Sequence, residues 1–308
     1  MKRMVILNPT ARQGRALGLK DLLIELLGFG ASQLDLEVTE DRGHATLLAT
    51  QALEAGYDHL IAVGGDGTAN EVANGFFMDP QQSYPQARLS VILQGTGCDL
   101  GRSFGLGPSL EEQIARIHWG RDWPIDVIQV TFKDPEGVEQ TRVALNVTGF
   151  GLSGAVDRRM QQRDRESAKA SGRMAFFGVT AQAYLEYQKP WVRLSLDGGP
   201  PISMRALSVA VANGQFFGGG MWIAPQARNN DGYLEVVVLG DLNPLEVVTK
   251  FAHIYRGTHL GMPNVYHYRA QSLEAQCDPT SWIDLDGEAP GQLPAKFEVL
   301  PLALTLRI

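Results

Sequence analysis

The residues best placed to do chemistry lie in Gly64-Gly65-Asp66-Gly67-Thr68-Ala69-Asn70-Glu71. Three glycines permit a tight turn with close backbone approach. A helix beginning near Ala69 would aim free amide groups and the positive end of its dipole at the same point. Such a cradle holds an anion. A carboxylate within it, Asp66, repels phosphate, so its natural partner is a bridging Mg²⁺ or a reacting hydroxyl. A plain glycine turn with a capping aspartate has the same local look. Two further small-residue loops, NPTARQG at 8–14 and QGTGCD at 94–99, favour a polyphosphate site, with the Thr96 hydroxyl and neighbouring amides closing its other side.

Other candidates are scattered. Asp126, Asp231 (in NNDGYLEVVVL) and Asp286 (in DLDGE) each stand beside an expected strand end or turn, and singly each also reads as a turn residue. FFGGGMW at 216–222 sets aromatic and sulfur side chains around three glycines, which suits either a flexible apolar rim or a strand end in the core. The stretch Asp157–Arg173 is net basic in an acidic chain, and reads as a solvated helix face or an aid to docking on anionic lipid. His44 reads as a helix cap. Neither cysteine, Cys98 or Cys277, has metal-ligand spacing.

The elements that must position these residues change character along the chain. Strands at Met4–Leu7, Leu34–Val38, His59–Val63 and Leu89–Leu93 alternate with helices at Leu17–Leu27, His44–Ala55 and Ala69–Phe77. This is the βαβ pattern of a parallel sheet, whose ligands bind beyond the carboxyl ends of the strands. The three glycine-bearing loops all fall at that end. From Ile125 onward β-type runs dominate, interrupted by helical stretches at about Ala155–Tyr187 and Pro244–Arg256, as in an antiparallel sandwich. The expected fold is therefore an N-terminal parallel α/β nucleotide-binding domain, 1–123, and a C-terminal antiparallel β-sandwich, 124–298.

A chain of 308 residues suits two domains. A net charge of -7 argues against wrapping nucleic acid. Two distant cysteines fit a reducing compartment, and the amino terminus lacks a signal-peptide core, so the cytoplasm is expected. No stretch has the roughly 20 apolar residues of a membrane-crossing helix, which leaves peripheral membrane contact. Edge strands of a sandwich make a homodimer an expectation as well.

In order, NPTARQG, GGDGTANEV, GTGCDLGRSFG, PIDV, NVTGFG, NGQFFGGGMWIAPQARNNDGYLEVVVL and DLDGE resemble the diacylglycerol kinase catalytic-domain family, particularly its soluble bacterial lipid kinases. The resemblance spans nearly the whole chain, whereas GGDGT alone is shared with NAD kinases and phosphofructokinases. It implies an ATP- and Mg²⁺-dependent kinase of a lipid hydroxyl, with a last strand, about 299–308, returning to the first domain. By similarity Asn8, Pro9, Thr10, Ala11, Arg12, Thr39, Gly65, Asp66, Gly67, Thr68, Ala69, Asn70, Glu71 and Thr96 would contact ATP, and Lys169 would steady its phosphates. Asp231 would hold a structural Mg²⁺ with backbone carbonyls near Arg228 and Tyr233, joined through water by Asp99 and Asp126. Asp286 or Glu288 would be the general base, with Asp66 positioning the metal-bound phosphates. Two residues depart from the family pattern: Arg12 stands where glycine is usual, and Cys98 where asparagine is usual. A kinase of NAD or another soluble alcohol, and a binding protein without turnover, are the competing readings.

Overall fold

In the computed structural model, apolar and amphipathic stretches alternate over the first part of the chain. They form β1 (Lys2–Leu7), α1 (Lys20–Gly28), β2 (Gln33–Val38), α2 (His44–Glu54), β3 (His59–Gly64), α3 (Asp66–Asn74), β4 (Arg88–Leu93), α4 (Asp99–Phe104) and α5 (Leu110–Trp119). Residues 1–12, 14–79, 81, 83–95, 98–166 and 173–308 are described; Thr96, Lys169 and the side chains of the basic stretch from Arg163 onward lie outside them. All six residues of β3 are buried, which requires cover on both faces and marks a central strand. The strands pair in parallel in the order β2-β1-β3-β4. Val5, Leu7, Ile61, Val63 and Ile92 pack there against Leu23 and Leu27 of α1 and Ile114 and Ile117 of α5. Each such fully buried side chain contributes roughly 1.5–3 kcal/mol. Ser109 and Glu112 form a reciprocal capping box that starts α5.

The chain divides into two units, Met1–Val127 with Leu302–Ile308, and Ile128–Pro301. The strand β5 (Asp122–Lys133) leads out of the first. The second contains β6 (Glu139–Ala144), β7 (Val147–Gly151), α6 (Leu152–Glu166), α7 (Arg173–Glu186), β8 (Trp191–Leu196), β9 (Ile202–Arg205), β10 (Ser208–Ala212), β11 (Phe216–Phe217), β12 (Met221–Trp222), β13 (Leu234–Leu239), α8 (Pro244–Tyr255), β14 (Val265–Ala270), β15 (Ser272–Asp278) and β16 (Ile283–Leu285). The last strand, β17 (Gln292–Arg307), begins in the second unit and ends in the first, where Leu306 pairs in parallel with Leu89 of β4.

In the second unit β14-β13-β10-β7-β16 form one antiparallel sheet. Strands β17, β15, β8 and β9 form the other, with β5 pairing β17 and β6. Their inner faces share one core, in which the rings of Phe150 and Phe297 stack with centroids 6.2 Å apart. The helical stretch expected at about Ala155–Tyr187 is helical over α6 and α7. Two expectations need correction. The helix after GGDG starts at Asp66 rather than near Ala69, so Asp66 itself is the first helical residue. The SWIDLDGE run is a strand only over Ile283–Leu285, and Asp286-Gly287 is the turn that follows it.

Candidate active site

The first unit gathers its small-residue loops where β1, β3 and β4 end. Gly64 and Gly95 are there because nothing larger fits. A Cβ on Gly64 would lie 2.4 Å from the Thr68 hydroxyl oxygen, and one on Gly95 would lie 3.0 Å from the Cα of Gly65. Asn8 ties the loops together: its Nδ2 donates to Thr68 Oγ1 at 3.0 Å, and its Oδ1 accepts from both the amide and the hydroxyl of Thr10. Thr39 is buried, and its amide donates to the Leu7 carbonyl. Glu71 joins α3 to α2: its carboxylate accepts from the Ala45 amide and its carbonyl from the Thr46 hydroxyl. Asn70, also buried, accepts from Asn74.

Asp66 is the electrostatic focus. Its Oδ2 accepts the backbone N–H of Asp99 at 2.9 Å and that of Leu100, so the carboxylate closes the amino end of α4. Its Oδ1 is buried and has no hydrogen-bond partner among the described residues. Burial, with the nearby Asp99 charge adding to it against the two amide bonds, pushes the Asp66 carboxyl up to about 6. A buried acceptor atom without a donor marks a place for a cation or a ligand hydroxyl.

The two departures from the family pattern have a common backbone basis. Arg12 has φ +52° and Cys98 φ +50°, both in the left-handed region that glycine and asparagine favour. Arg12 reaches back to donate to Gln94 Oε1 at 3.3 Å, and Cys98 donates its thiol to the Gly95 carbonyl at 3.1 Å. Burial raises that thiol, so the neutral form that makes this bond is favoured.

In the second unit Asp286 and Gly287, with φ +47° and +87°, make the two-residue hairpin turn between Leu285 and Glu288. The turn sends its two acids to different tasks. Asp286 accepts three backbone N–H groups, from Leu145 at 2.8 Å, Asn146 at 3.3 Å and Val147 at 3.2 Å, and so braces the entry to β7. Glu288 is half-buried and lies 3.5 Å from the Arg142 guanidinium. Asn146 continues the connection by donating its Nδ2 to the Phe216 carbonyl at 2.7 Å. Phe216 and Trp222 stack at 5.6 Å across the β11–β12 hairpin and are only part-buried, while Phe217 and Met221 turn into the core. The FFGGGMW segment is thus an apolar rim on one side and core on the other.

The carboxylates expected around a structural ion have other partners. Asp231 accepts from the Tyr233 amide at 3.2 Å through Oδ1 and from Arg269 at 2.7 Å through Oδ2, and the same guanidinium lies 4.0 Å over the Tyr233 ring. Arg228 is exposed. In the first unit Asp99 pairs with Arg102 at 2.6 Å, and the buried Asp126 accepts the Leu302 N–H at 2.8 Å, holding that residue at φ +50°. Among the described residues no three His, Cys, Asp or Glu side chains converge on a metal position. A cation at Asp231 would have to compete with Arg269 for Oδ2. Arg269, Arg142 and Gln94 escape a reading of the sequence because each acts on a distant segment. Arg102 carried a signal, since it stands three residues after Asp99 at the start of a helix.

Comparison with known proteins agrees with this layout. Residues 2–130 match the diacylglycerol kinase catalytic domain, and residues 147–308 match the YegS C-terminal NAD kinase beta sandwich-like domain. A diacylglycerol kinase of Staphylococcus epidermidis is 29% identical over 95% of this chain and 87% of its own length. That of Staphylococcus saprophyticus is 28% identical over 95% and 90%. A crystal structure of a diacylglycerol kinase from Bacillus anthracis superposes with a TM-score of 0.71 at 21% identity, covering 99% of this chain and 96% of that one; at that identity it shows the fold alone. Both parts of the chain therefore match the same kind of protein, and the chain belongs to the diacylglycerol kinase catalytic-domain family.

Proposed function

We propose that the protein is a magnesium-requiring lipid kinase, transferring the γ-phosphoryl group of ATP to the hydroxyl of diacylglycerol or a related lipid. The observation that carries this reading is the buried Asp66 Oδ1, without a hydrogen-bond partner among the described residues, set in the glycine-lined cradle. Magnesium bound with ATP would supply charge neutralisation at the transferred group. The chain's own residues do the rest: the loop amides and Thr68 hold phosphate oxygens, Asp66 and Asp99 offer anionic oxygens to the cation, and Arg12 adds a positive charge. Glu288 takes the proton of the acceptor hydroxyl as its oxygen bonds to phosphorus and the bond to the ADP oxygen breaks. A lipid acceptor is favoured by the part-exposed Phe216–Trp222 pair, which Asn146 links to the loop clamped by Asp286. Among the described residues no helix is long and apolar enough to cross a membrane. The reading therefore has the protein meet its lipid peripherally, at the cytoplasmic face of a membrane.

The test is transfer from labelled ATP with Mg²⁺ to micelles of diacylglycerol, phosphatidylglycerol or a sphingoid base, beside NAD and glycerol as soluble acceptors. Label in one lipid supports the reading; label in a soluble acceptor alone overturns it. A second expectation concerns the cradle. In Gly64→Ala the new methyl group displaces Thr68 from Asn8, and the KM for ATP should rise about tenfold, equivalent to ~1.4 kcal/mol. Steady-state kinetics with ATP varied at saturating lipid measures it, and an unchanged KM would show that the Asn8–Thr68 bond does not shape the nucleotide site.

A further inference from the structure

The hairpin that carries Glu288 rests on a second pair of acids that phosphoryl transfer, as described above, leaves unused. Asp284 of β16 is 6% exposed, and its Oδ1 accepts the N–H of Gly287, inside the turn, at 3.1 Å. Helix α6 lies directly on this strand. A Cβ on Gly154 would come within 2.1 Å of the Trp282 carbonyl oxygen and 3.1 Å of the Ile283 carbonyl carbon, so only glycine allows that approach. One turn later on the same helix face, Asp157 meets Asp284, and the two carboxyl groups hydrogen-bond to each other; Ser153 bonds to Asp284 as well. Asp157 Oδ2 is buried and has no hydrogen-bond partner among the described residues.

Among the described residues the surroundings supply no neutralising charge. From β7, Thr148 donates its hydroxyl to the Asp284 carbonyl at 2.6 Å. On α6 the Arg158 guanidinium lies over the Trp282 ring instead, 4.5 Å from its centroid. Glu288 adds a further negative charge that acts on Asp157, and the Arg142 cation sits at Glu288, 3.5 Å away. Neither Asp157 nor Asp284 makes an ion pair among the described residues. Two carboxyl groups in contact, Asp284 buried and Asp157 with its Oδ2 buried, resist double ionisation where no cation among the described residues pairs with either.

We propose that Asp157 and Asp284 share one proton and together act as positioning residues, fixing the Asp286-Gly287-Glu288 turn; this rests on the reading of Glu288 as the base. Asp284 already accepts the Gly287 N–H, which favours its anionic form and leaves the proton to Asp157. Burial, then the charge of Asp284, holds the Asp157 carboxyl well above the usual carboxylate range, and burial raises Asp284 too. Asp157 then donates to Asp284, whose second hold is on the Gly287 N–H. Removing the proton sets two anions against each other beneath the turn and places a further negative charge near Glu288. The folded state binds this proton more tightly than the unfolded chain does. Its stabilising contribution is therefore complete below the ordinary carboxylate range and is lost as pH rises through the raised value of the pair.

Infrared spectroscopy in heavy water reads the pair directly, through the carbonyl stretch of a protonated carboxylic acid at neutral pH. The band should be present in the wild-type protein and absent from Asp157→Asn, whose amide keeps the hydrogen bond to Asp284 but has no proton to lose. Thermal unfolding from about pH 5 to about pH 10 should then fall more steeply with pH for the wild type than for the variant. In lipid phosphorylation, Asp157→Asn should keep kcat within about threefold at neutral pH and move the alkaline limb of the profile upward. Asp157→Leu, which has no donor, should lose about tenfold in kcat at an unchanged KM for ATP. A band that persists in Asp157→Asn, or identical pH profiles for wild type and variant, overturns the proposal. The band needs no turnover: a wild-type band lost in Asp157→Asn, with no acceptor phosphorylated, supports the acid pair and overturns the kinase reading. Turnover by a protein that lacks the band overturns the pair alone.

Discussion

Asp66→Asn should lower phosphoryl transfer by about a thousandfold or more while making the protein more stable at neutral pH. Both effects come from one atom. Among the described residues Asp66 Oδ1 is buried without a donor, so the desolvation of the carboxylate is only partly offset by the amide bonds at Oδ2, and its carboxyl is pushed from 3.8 up to about 6. A raised carboxyl binds its proton more tightly in the folded protein than in the unfolded chain. Stability from this group is thus present at low pH and is lost as pH rises from about 4 through about 6. A rise of that size corresponds to roughly 3 kcal/mol, an upper figure because an asparagine amide is also desolvated there. Asparagine keeps an oxygen for the Asp99 and Leu100 amides, so the amino end of α4 stays capped. The melting temperatures of variant and wild type should coincide near pH 4 and separate above about pH 6. A variant that melts below the wild type at pH 8, or that retains more than a tenth of the activity, would remove Asp66 from the role given to it. A site that is more stable without its acid is the usual sign of a group held for function.

Glu288→Gln and Asp286→Ala should both inactivate the enzyme, for reasons that two measurements separate. Glu288 is part-exposed, and its ion pair with Arg142 at 3.5 Å is a surface contact worth at most about 1 kcal/mol. Glutamine there should leave the melting temperature nearly unchanged and lower kcat by about 10²–10⁴, the range for loss of a general base. Asp286 is different because the N–H groups of Leu145, Asn146 and Val147 all end on its carboxylate. Alanine would leave them without an acceptor, at a cost of about 1–3 kcal/mol for each one that water cannot reach. Asp286→Ala should therefore melt markedly lower, and its activity should fall through the collapse of the turn that carries Glu288. The opposite result, a stable and inactive Asp286→Ala beside an active Glu288→Gln, would make Asp286 the base. Sequence motifs leave that choice open, and the backbone hydrogen bonds favour Glu288.

The features legible in the sequence are those set by short range. The alternation of apolar runs and amphipathic stretches specifies a parallel α/β unit because strand and helix periodicities are local. Glycines at 64, 65 and 95 announce loops that must pass close to one another, and Asp-Gly at 286–287 announces a hairpin turn, since each follows from what a missing Cβ permits. The ordered motifs indicate the family before any fold is seen. The placement of charge is another matter. Asp231 reads from its own segment as a turn residue, and only the fold brings Arg269, from a strand paired with the one that follows Asp231, onto its carboxylate. Asp157 reads as one acid in a mixed-charge helix until Gly154 brings that helix onto β16 and sets it against Asp284. Burial, which raises Asp66, and register, which gives Asp286 three amides and leaves Glu288 facing Arg142, are properties of the assembled sheets. Local sequence sets which turns and strands can form, but whether an acid ends as base, brace or proton store depends on which distant backbone closes over it, and only the tertiary structure decides that.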